Sequence, residues 1–262
     1  MRRADRRGFL KLAGLVVVGA GIKPTVDLLA GPELAEASRS GVAGGRAGRR
    51  LAMAIDLPAC IAAGDCTECI AACNAAHNIP HFDDPKEEIK WIWRDGYANA
   101  FPDSANSFVA ANLRNGQVTL LCNHCDNPPC VRVCPTQATW KREDGIVMMD
   151  EHRCIGCRYC TVACPYGARS FNYRDPRQGL DMKTLTSDFP TRTRGVVEKC
   201  NFCVERIDKG QPPACVEACR RKAMFFGDLN DAGAKVRELL ASRPSIRRNP
   251  GLGTDPQLYY LV

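Results

Sequence analysis

Cys154-Ile155-Gly156-Cys157-Arg158-Tyr159-Cys160-Thr161-Val162-Ala163-Cys164-Pro165 is the stretch that decides the reading of this 262-residue chain. Its spacing, C-x2-C-x2-C-x3-C-P, is a ligand run for 4Fe–4S clusters. Three thiols at steps of three let one tight loop wrap a cuboidal cluster. The fourth, beyond a short turn, points away and serves the other cluster of a pair. Proline after it breaks the turn and helps exclude water.

In all, the chain holds sixteen cysteines, and they fall into four groups of four. The others are Cys60, Cys66, Cys69, Cys73; Cys122, Cys125, Cys130, Cys134; and Cys200, Cys203, Cys215, Cys219. The groups repeat in the order A-B-A-B. Asp56 and Asp150 each stand four residues ahead of their group, in Met53-Ala54-Ile55-Asp56 and Val147-Met148-Met149-Asp150. Cys122-Asn123-His124-Cys125 matches Cys200-Asn201-Phe202-Cys203, and the pairs Pro128-Pro129 and Pro212-Pro213 precede the next cysteine of each. Duplication of a two-cluster unit follows.

Two other uses of cysteine compete. Zinc prefers two C-x2-C knuckles about a longer loop, and a C-x2-C-x2-C run crowds one tetrahedral ion. Disulfides suit exported mini-proteins, but a chain this long builds a core without staples. Four complete sets predict four 4Fe–4S clusters. The widened first group, with five residues between Cys60 and Cys66, is where a degenerate or 3Fe site would fall. A net charge of +7 is too mild to argue for nucleic acid. No Ser-His-Asp arrangement, phosphate loop or nucleotide fingerprint occurs. An enzyme acting at a cluster edge would need an open iron site, and no ligand is missing.

The first residues read as a targeting segment. Arg2, Arg3, Arg6 and Arg7 precede an apolar stretch, Leu12 to Ile22, too short to span a bilayer. Arg6-Arg7-Gly8-Phe9-Leu10-Lys11 is similar to the twin-arginine export motif, with Asp5 where Ser or Thr is usual. Ala35 and Ala37 suggest a cut before Ser38, making 1–37 a signal peptide; the alternative is an uncleaved anchor. Residues 38–50, rich in Gly, Ser, Ala and Arg, read as a flexible linker. No later stretch reaches 18 apolar residues, so the mature chain is expected to be soluble and to meet a membrane only through partners.

From about residue 51 onward the chain resembles the four-cluster ferredoxin-like subunits of membrane-associated oxidoreductases. Dimethyl sulfoxide reductase, polysulfide reductase and the cytochrome-linked nitrite reductase system contain such subunits. Within them it is most similar to the periplasmic iron–sulfur O subunit of the sulfite-reduction-associated DsrMKJOP complex. Carrying that likeness are Cys66-Thr67-Glu68-Cys69, His77-Asn78-Ile79-Pro80, Glu88-Ile89-Lys90-Trp91-Ile92-Trp93, Pro135-Thr136-Gln137-Ala138-Thr139 and Thr193-Arg194-Gly195-Val196-Val197-Glu198-Lys199-Cys200.

The resemblance implies an α+β fold of two ferredoxin-like units. The inner one is 112–173; the outer one joins 51–80 to 196–228. Residues 81–111 and 174–195 are then insertions, and 229–262 a C-terminal tail. It implies four ligand sets: Cys60, Cys66, Cys69 with Cys219; Cys73 with Cys200, Cys203, Cys215; Cys122, Cys125, Cys130 with Cys164; and Cys134 with Cys154, Cys157, Cys160. It further implies a periplasmic electron-transfer subunit with no substrate site of its own. Its expected partners are an integral membrane quinone-reactive subunit, a multihaem cytochrome and further iron–sulfur subunits, with no nucleic acid. The alternative is a subunit of a molybdopterin oxidoreductase or of a nitrite reductase system.

Local patterns add detail. Ala138-Thr139-Trp140, the turn Glu143-Asp144-Gly145 and Ile146-Val147-Met148-Met149 predict a β-hairpin. Short helical turns are expected over 131–134 and 162–164, and one helix over 232–241 followed by an irregular basic tail. Trp91 and Trp93, alternating about Ile92, suit a strand and core packing. His124, between two ligands, is a candidate donor to cluster sulfur or else faces solvent. Lys199 and Arg158 stand beside ligands and would offset cluster charge. His77, His81 and His152 form no spaced constellation.

Overall fold

The computed structural model describes residues 48–262, so the proposed export signal and most of the linker lie outside the described residues. Ten short strands occur among them: β1 Leu51–Asp56, β2 Ile92–Gly96, β3 Gln117–Leu121, β4 Thr139–Lys141, β5 Val147–Met149, β6 Ser170–Phe171, β7 Val197–Glu198, β8 Met224–Asp228, β9 Ser245–Ile246 and β10 Leu258–Leu261. The largest sheet has the order β8-β1-β10-β9. Leu51 to Ile55 are apolar on both faces and buried, as a central strand requires. Met53 faces Phe226 of antiparallel β8 and Leu258 of parallel β10. Asp56 ends β1 and caps the helix Leu57–Ile61, accepting from the Ala59 N–H at 3.0 Å.

The expected irregular tail is thus corrected. Its end is a strand beside β1, with Leu258, Tyr260 and Leu261 buried. The helix of this region runs Lys235–Ser242, starting later than expected. Asp231 holds the Gly233 N–H at 2.9 Å and so makes a turn of the residues before it. Val236 then packs with Ala54 and Leu261.

The segment 81–111 is likewise more than an insertion. Its β2 pairs antiparallel with β3, Ile92 opposite Leu121 and Trp93 opposite Leu120. Trp91 is buried just ahead of it. The hairpin forms over β4 and β5, closed by the Glu143-Asp144-Gly145 turn. β6 pairs with β7, joining the end of the inner segment to the start of the outer one. Beside it, Gly156 in the Cys154–Cys157 loop has φ +69°, and a Cβ there would meet the Gly195 carbonyl oxygen at 2.3 Å.

The two helical turns expected beside the second and third cysteine groups are Pro129–Arg132 and Tyr159–Ala163, each starting earlier than expected. Pro129 sits at the first helical position, where its missing N–H costs nothing. Among the described residues no helix is long and apolar enough to cross a membrane.

Candidate metal centres

None of the sixteen cysteines is joined to another in a disulfide. The helix Glu68–Ala76 carries Cys69 and Cys73 four residues apart, hence on one face. The turn Ala214–Glu217, with Cys215, packs on that helix. Burial pushes the Cys69 thiol up to about 11, and the nearby Cys60, Cys66 and Cys219 push it the same way. Burial holds Cys73 well above the ordinary thiol value, reinforced by Cys200, Cys215 and Cys203. Burial pushes Cys125 up to about 12, with Cys122, Cys130 and Cys164 adding to it against a hydrogen bond from Thr254.

Cys122, Cys125, Cys130 and Cys164 also line one cavity, walled by Pro128, Pro129, Val147, Pro165, Tyr166 and Ala168 with Arg169 at its side. Cys160 is raised by burial, drawn down by Arg169 and raised by Cys130 and Cys154. Cys134 behaves differently. Burial would raise it, but the N–H groups of Thr139, Thr136 and Ala138 and the Thr136 hydroxyl hold it below the usual thiol value. Cys157 is exposed at the rim.

Thiols feel one another within and between groups: Cys69 raises Cys73, Cys122 raises Cys200, and Cys130 raises Cys160. Thiols crowded between apolar walls repel each other as thiolates and stay protonated alone. A cationic metal core removes both penalties, so the donor sets fit iron–sulfur clusters.

Charged and aromatic groups fill the spaces between sets. Lys199, almost fully buried, donates to the carbonyls of Val147 and Cys200, the latter at 2.6 Å. Arg169 is also buried, donates to the Thr139 hydroxyl at 2.8 Å, and is held charged by Cys130, Cys160 and Cys122 despite its burial. Nothing in the spacing announces Arg169; only the fold turns it onto the cavity. Arg158 has a different place, over the rings of Phe171 and Tyr173.

His124 does not face solvent. It is fully buried, accepts from the Val147 N–H at 3.1 Å through Nδ1, and stacks on Phe202. Burial, with Lys199 and Arg169 nearby, keeps the ring neutral. Backbone N–H groups meet sulfur at Phe202 on Cys200 (3.4 Å), Ala214 on Cys203 (3.4 Å) and Ala223 on Cys219 (3.3 Å).

His77, which the spacing left without a role, lies against Cys73. Its Nδ1 lies 3.0 Å from the Cys73 carbonyl oxygen and 3.7 Å from Cys73 Sγ, and its Nε2 lies 2.7 Å from Glu205 Oε1. His77, Cys203 and Glu205 have donor atoms within 4.8 Å of one another. Burial alone would lower this histidine, but Cys203 and Glu205 beside it raise it to about 9.

Known proteins resemble this chain over most of its length. Residues 117–179 and 185–229 match the 4Fe-4S dicluster domain, which takes in the second, third and fourth groups. The chain is 39% identical to the Hdr-like menaquinol oxidoreductase iron-sulfur subunit 1 of Archaeoglobus fulgidus, over 98% of this chain and 97% of the relative. It is 41% identical to the menaquinone reductase iron-sulfur cluster-binding subunit of Nitratidesulfovibrio vulgaris, over 80% and 87%. It is 37% identical to the polysulfide reductase B subunit of Wolinella succinogenes, over 74% and 86%.

Proposed function

The chain belongs to the family of iron–sulfur subunits of oxidoreductases that carry the 4Fe-4S dicluster domain, and on that basis we propose that it is a four-cluster electron-transfer subunit of a membrane-bound, quinone-linked complex. The observation that carries this reading is the crowding of free-standing thiols, with Cys122, Cys125, Cys130 and Cys164 lining a single cavity. The sets are those the resemblance implies: Cys60, Cys66, Cys69, Cys219; Cys73, Cys200, Cys203, Cys215; Cys122, Cys125, Cys130, Cys164; and Cys134, Cys154, Cys157, Cys160. Bound 4Fe–4S clusters supply reversible one-electron chemistry. The chain's own residues wall the set of Cys122, Cys125, Cys130 and Cys164 with Pro, Val and Tyr side chains, and buried Lys199 and Arg169 offset cluster charge.

The finer assignment is the periplasmic O subunit of DsrMKJOP, working between a quinone-reactive membrane subunit, a multihaem cytochrome and further iron–sulfur subunits. The sequence stretches around Cys66, His77, Trp91, Pro135 and Cys200 support it, as do two relatives whose names place them with menaquinol or menaquinone. The likeness to the polysulfide reductase B subunit favours a second reading, the electron-transfer subunit of a molybdopterin oxidoreductase. Iron and acid-labile sulfide analysis of anaerobically purified protein tests the shared core: about sixteen of each per chain are expected from four 4Fe–4S sites. Zinc in place of iron, or iron near half that value, overturns it.

A further inference from the structure

His77 is buried to 1% exposure and locked on every side. Trp91 lies on its ring at 4.4 Å between centroids, and Phe189 meets it edge-on at 4.9 Å. Arg192 donates to its carbonyl and pairs with Glu198 at 2.6 Å, while Glu198 also accepts from the Trp91 indole at 3.0 Å. Asn201 donates to the second oxygen of Glu205 at 3.0 Å, which fixes the carboxylate that holds Nε2. The ring therefore has one orientation.

That orientation settles where a hydrogen sits. A carbonyl oxygen only accepts, so Nδ1, 3.0 Å from the Cys73 carbonyl, carries a hydrogen. The same N–H lies 3.7 Å from Cys73 Sγ, within reach of a hydrogen bond to sulfur. It is then committed, which removes Nδ1 as a metal ligand. Nε2 is engaged by Glu205. The trio His77, Cys203 and Glu205 is for these reasons no separate mononuclear metal site, although its atoms lie close enough for one.

We infer that His77 is a positioning residue for redox potential: its Nδ1–H donates to the sulfur of Cys73 and raises the reduction potential of the centre held by Cys73, Cys200, Cys203 and Cys215. The inference rests on the proposed cluster sets. A hydrogen bond to a ligating sulfur withdraws charge from the centre, favours the more negative reduced state, and raises the potential. Among the described residues, none of the other three thiol sets has a histidine in hydrogen-bonding contact with its sulfurs. The second centre should accordingly stand apart from the other three.

The test is an anaerobic redox titration of the full-length holoprotein, followed by electron paramagnetic resonance, with iron content measured alongside. His77→Gln keeps reach to Glu205 but takes the N–H away from sulfur; His77→Asn places an amide N–H where Nδ1 was. In His77→Gln one of the four titration steps should show about a tenfold lower reduced-to-oxidised ratio at fixed potential, about 59 mV for a one-electron couple. The other three should stay in place, and His77→Asn should recover most of the shift. Full iron with all steps unmoved in His77→Gln overturns the inference, as does an equal shift in both variants. Loss of one non-iron metal per chain in either variant also overturns it, in favour of a mononuclear site. A wild-type protein without iron–sulfur titration steps would instead overturn the function proposed above.

Discussion

His124 and Phe202 stack with ring centroids 3.6 Å apart and planes 21° from parallel. They are the same position of the two repeats, the third residue of Cys122-Asn123-His124-Cys125 and of Cys200-Asn201-Phe202-Cys203. Both take left-handed backbone, φ 41° and 58°. The duplication therefore meets itself at this contact, between the second and fourth cysteine groups, and Cys122 is close enough to raise Cys200.

Crossing of the fourth cysteine is tested at Cys164. This thiol lines the same cavity as Cys122, Cys125 and Cys130, and burial, followed by Cys122, raises it above the usual thiol value. Cys164→Ala should remove the centre of Cys122, Cys125 and Cys130, with a loss of about four irons per chain. The centre of Cys154, Cys157 and Cys160 should persist in the spectrum. Loss of that centre instead would show an uncrossed pairing.

Gly156 has no room for a side chain. Its φ of +69° already strains any other residue, and the Gly195 carbonyl would lie 2.3 Å from a new Cβ. Gly156→Ala should cost about 1–3 kcal/mol and lower iron loading at the centre of Cys154, Cys157 and Cys160. Chemical unfolding and iron analysis read the two effects; an unchanged midpoint with full iron would refute the contact.

Asp56 gives a pH dependence whose sign can be worked out. Burial would raise its carboxyl, but hydrogen bonds from Arg243 and the Ala59 N–H, with the charge of Arg243, hold it below the usual value. The pairing stabilises the fold fully above the unfolded value of about 3.9. It is lost as pH falls through the lower folded value. Arg243→Ala should cost about 1 kcal/mol near neutrality, and the difference from wild type should shrink in acid. A difference that grows on acidification would contradict it.

Export is tested at the other end of the chain. Replacing Arg6 and Arg7 together by Lys should leave the precursor in the cytoplasm, as fractionation and immunoblotting would show. Undiminished export would mean that the basic start is only an anchor signal.

The sequence revealed the parts of the fold whose determinants are local. Ligand spacing is set by the span of a cluster, so four groups were visible as four groups. Glu143-Asp144-Gly145 between two apolar runs announced the hairpin for the same reason. The placement of Leu258–Leu261 beside β1 was not legible. Its register partner Met53 is some two hundred positions away, and four residues carry too little pattern to name a neighbour. His77 and Arg169 were missed because each reaches its thiols through packing: His77 under Trp91 and Phe189, Arg169 on the cavity of Cys122, Cys125, Cys130 and Cys164. Solitary histidines and arginines have no spacing to read.

The pairing of β1 with β10 also governs how the unit answers to force. Tension applied upstream of Leu51 and downstream of Leu261 pulls two adjacent parallel strands in opposite directions along their length. Their hydrogen bonds are loaded together, in shear, and must fail as a group. The antiparallel β10–β9 pair, Tyr260 opposite Ile246 and Leu261 opposite Ser245, opens one bond at a time when the same ends are drawn apart. A motor that unravels the chain from either side of this sheet has to break the sheared pair before it reaches the thiols.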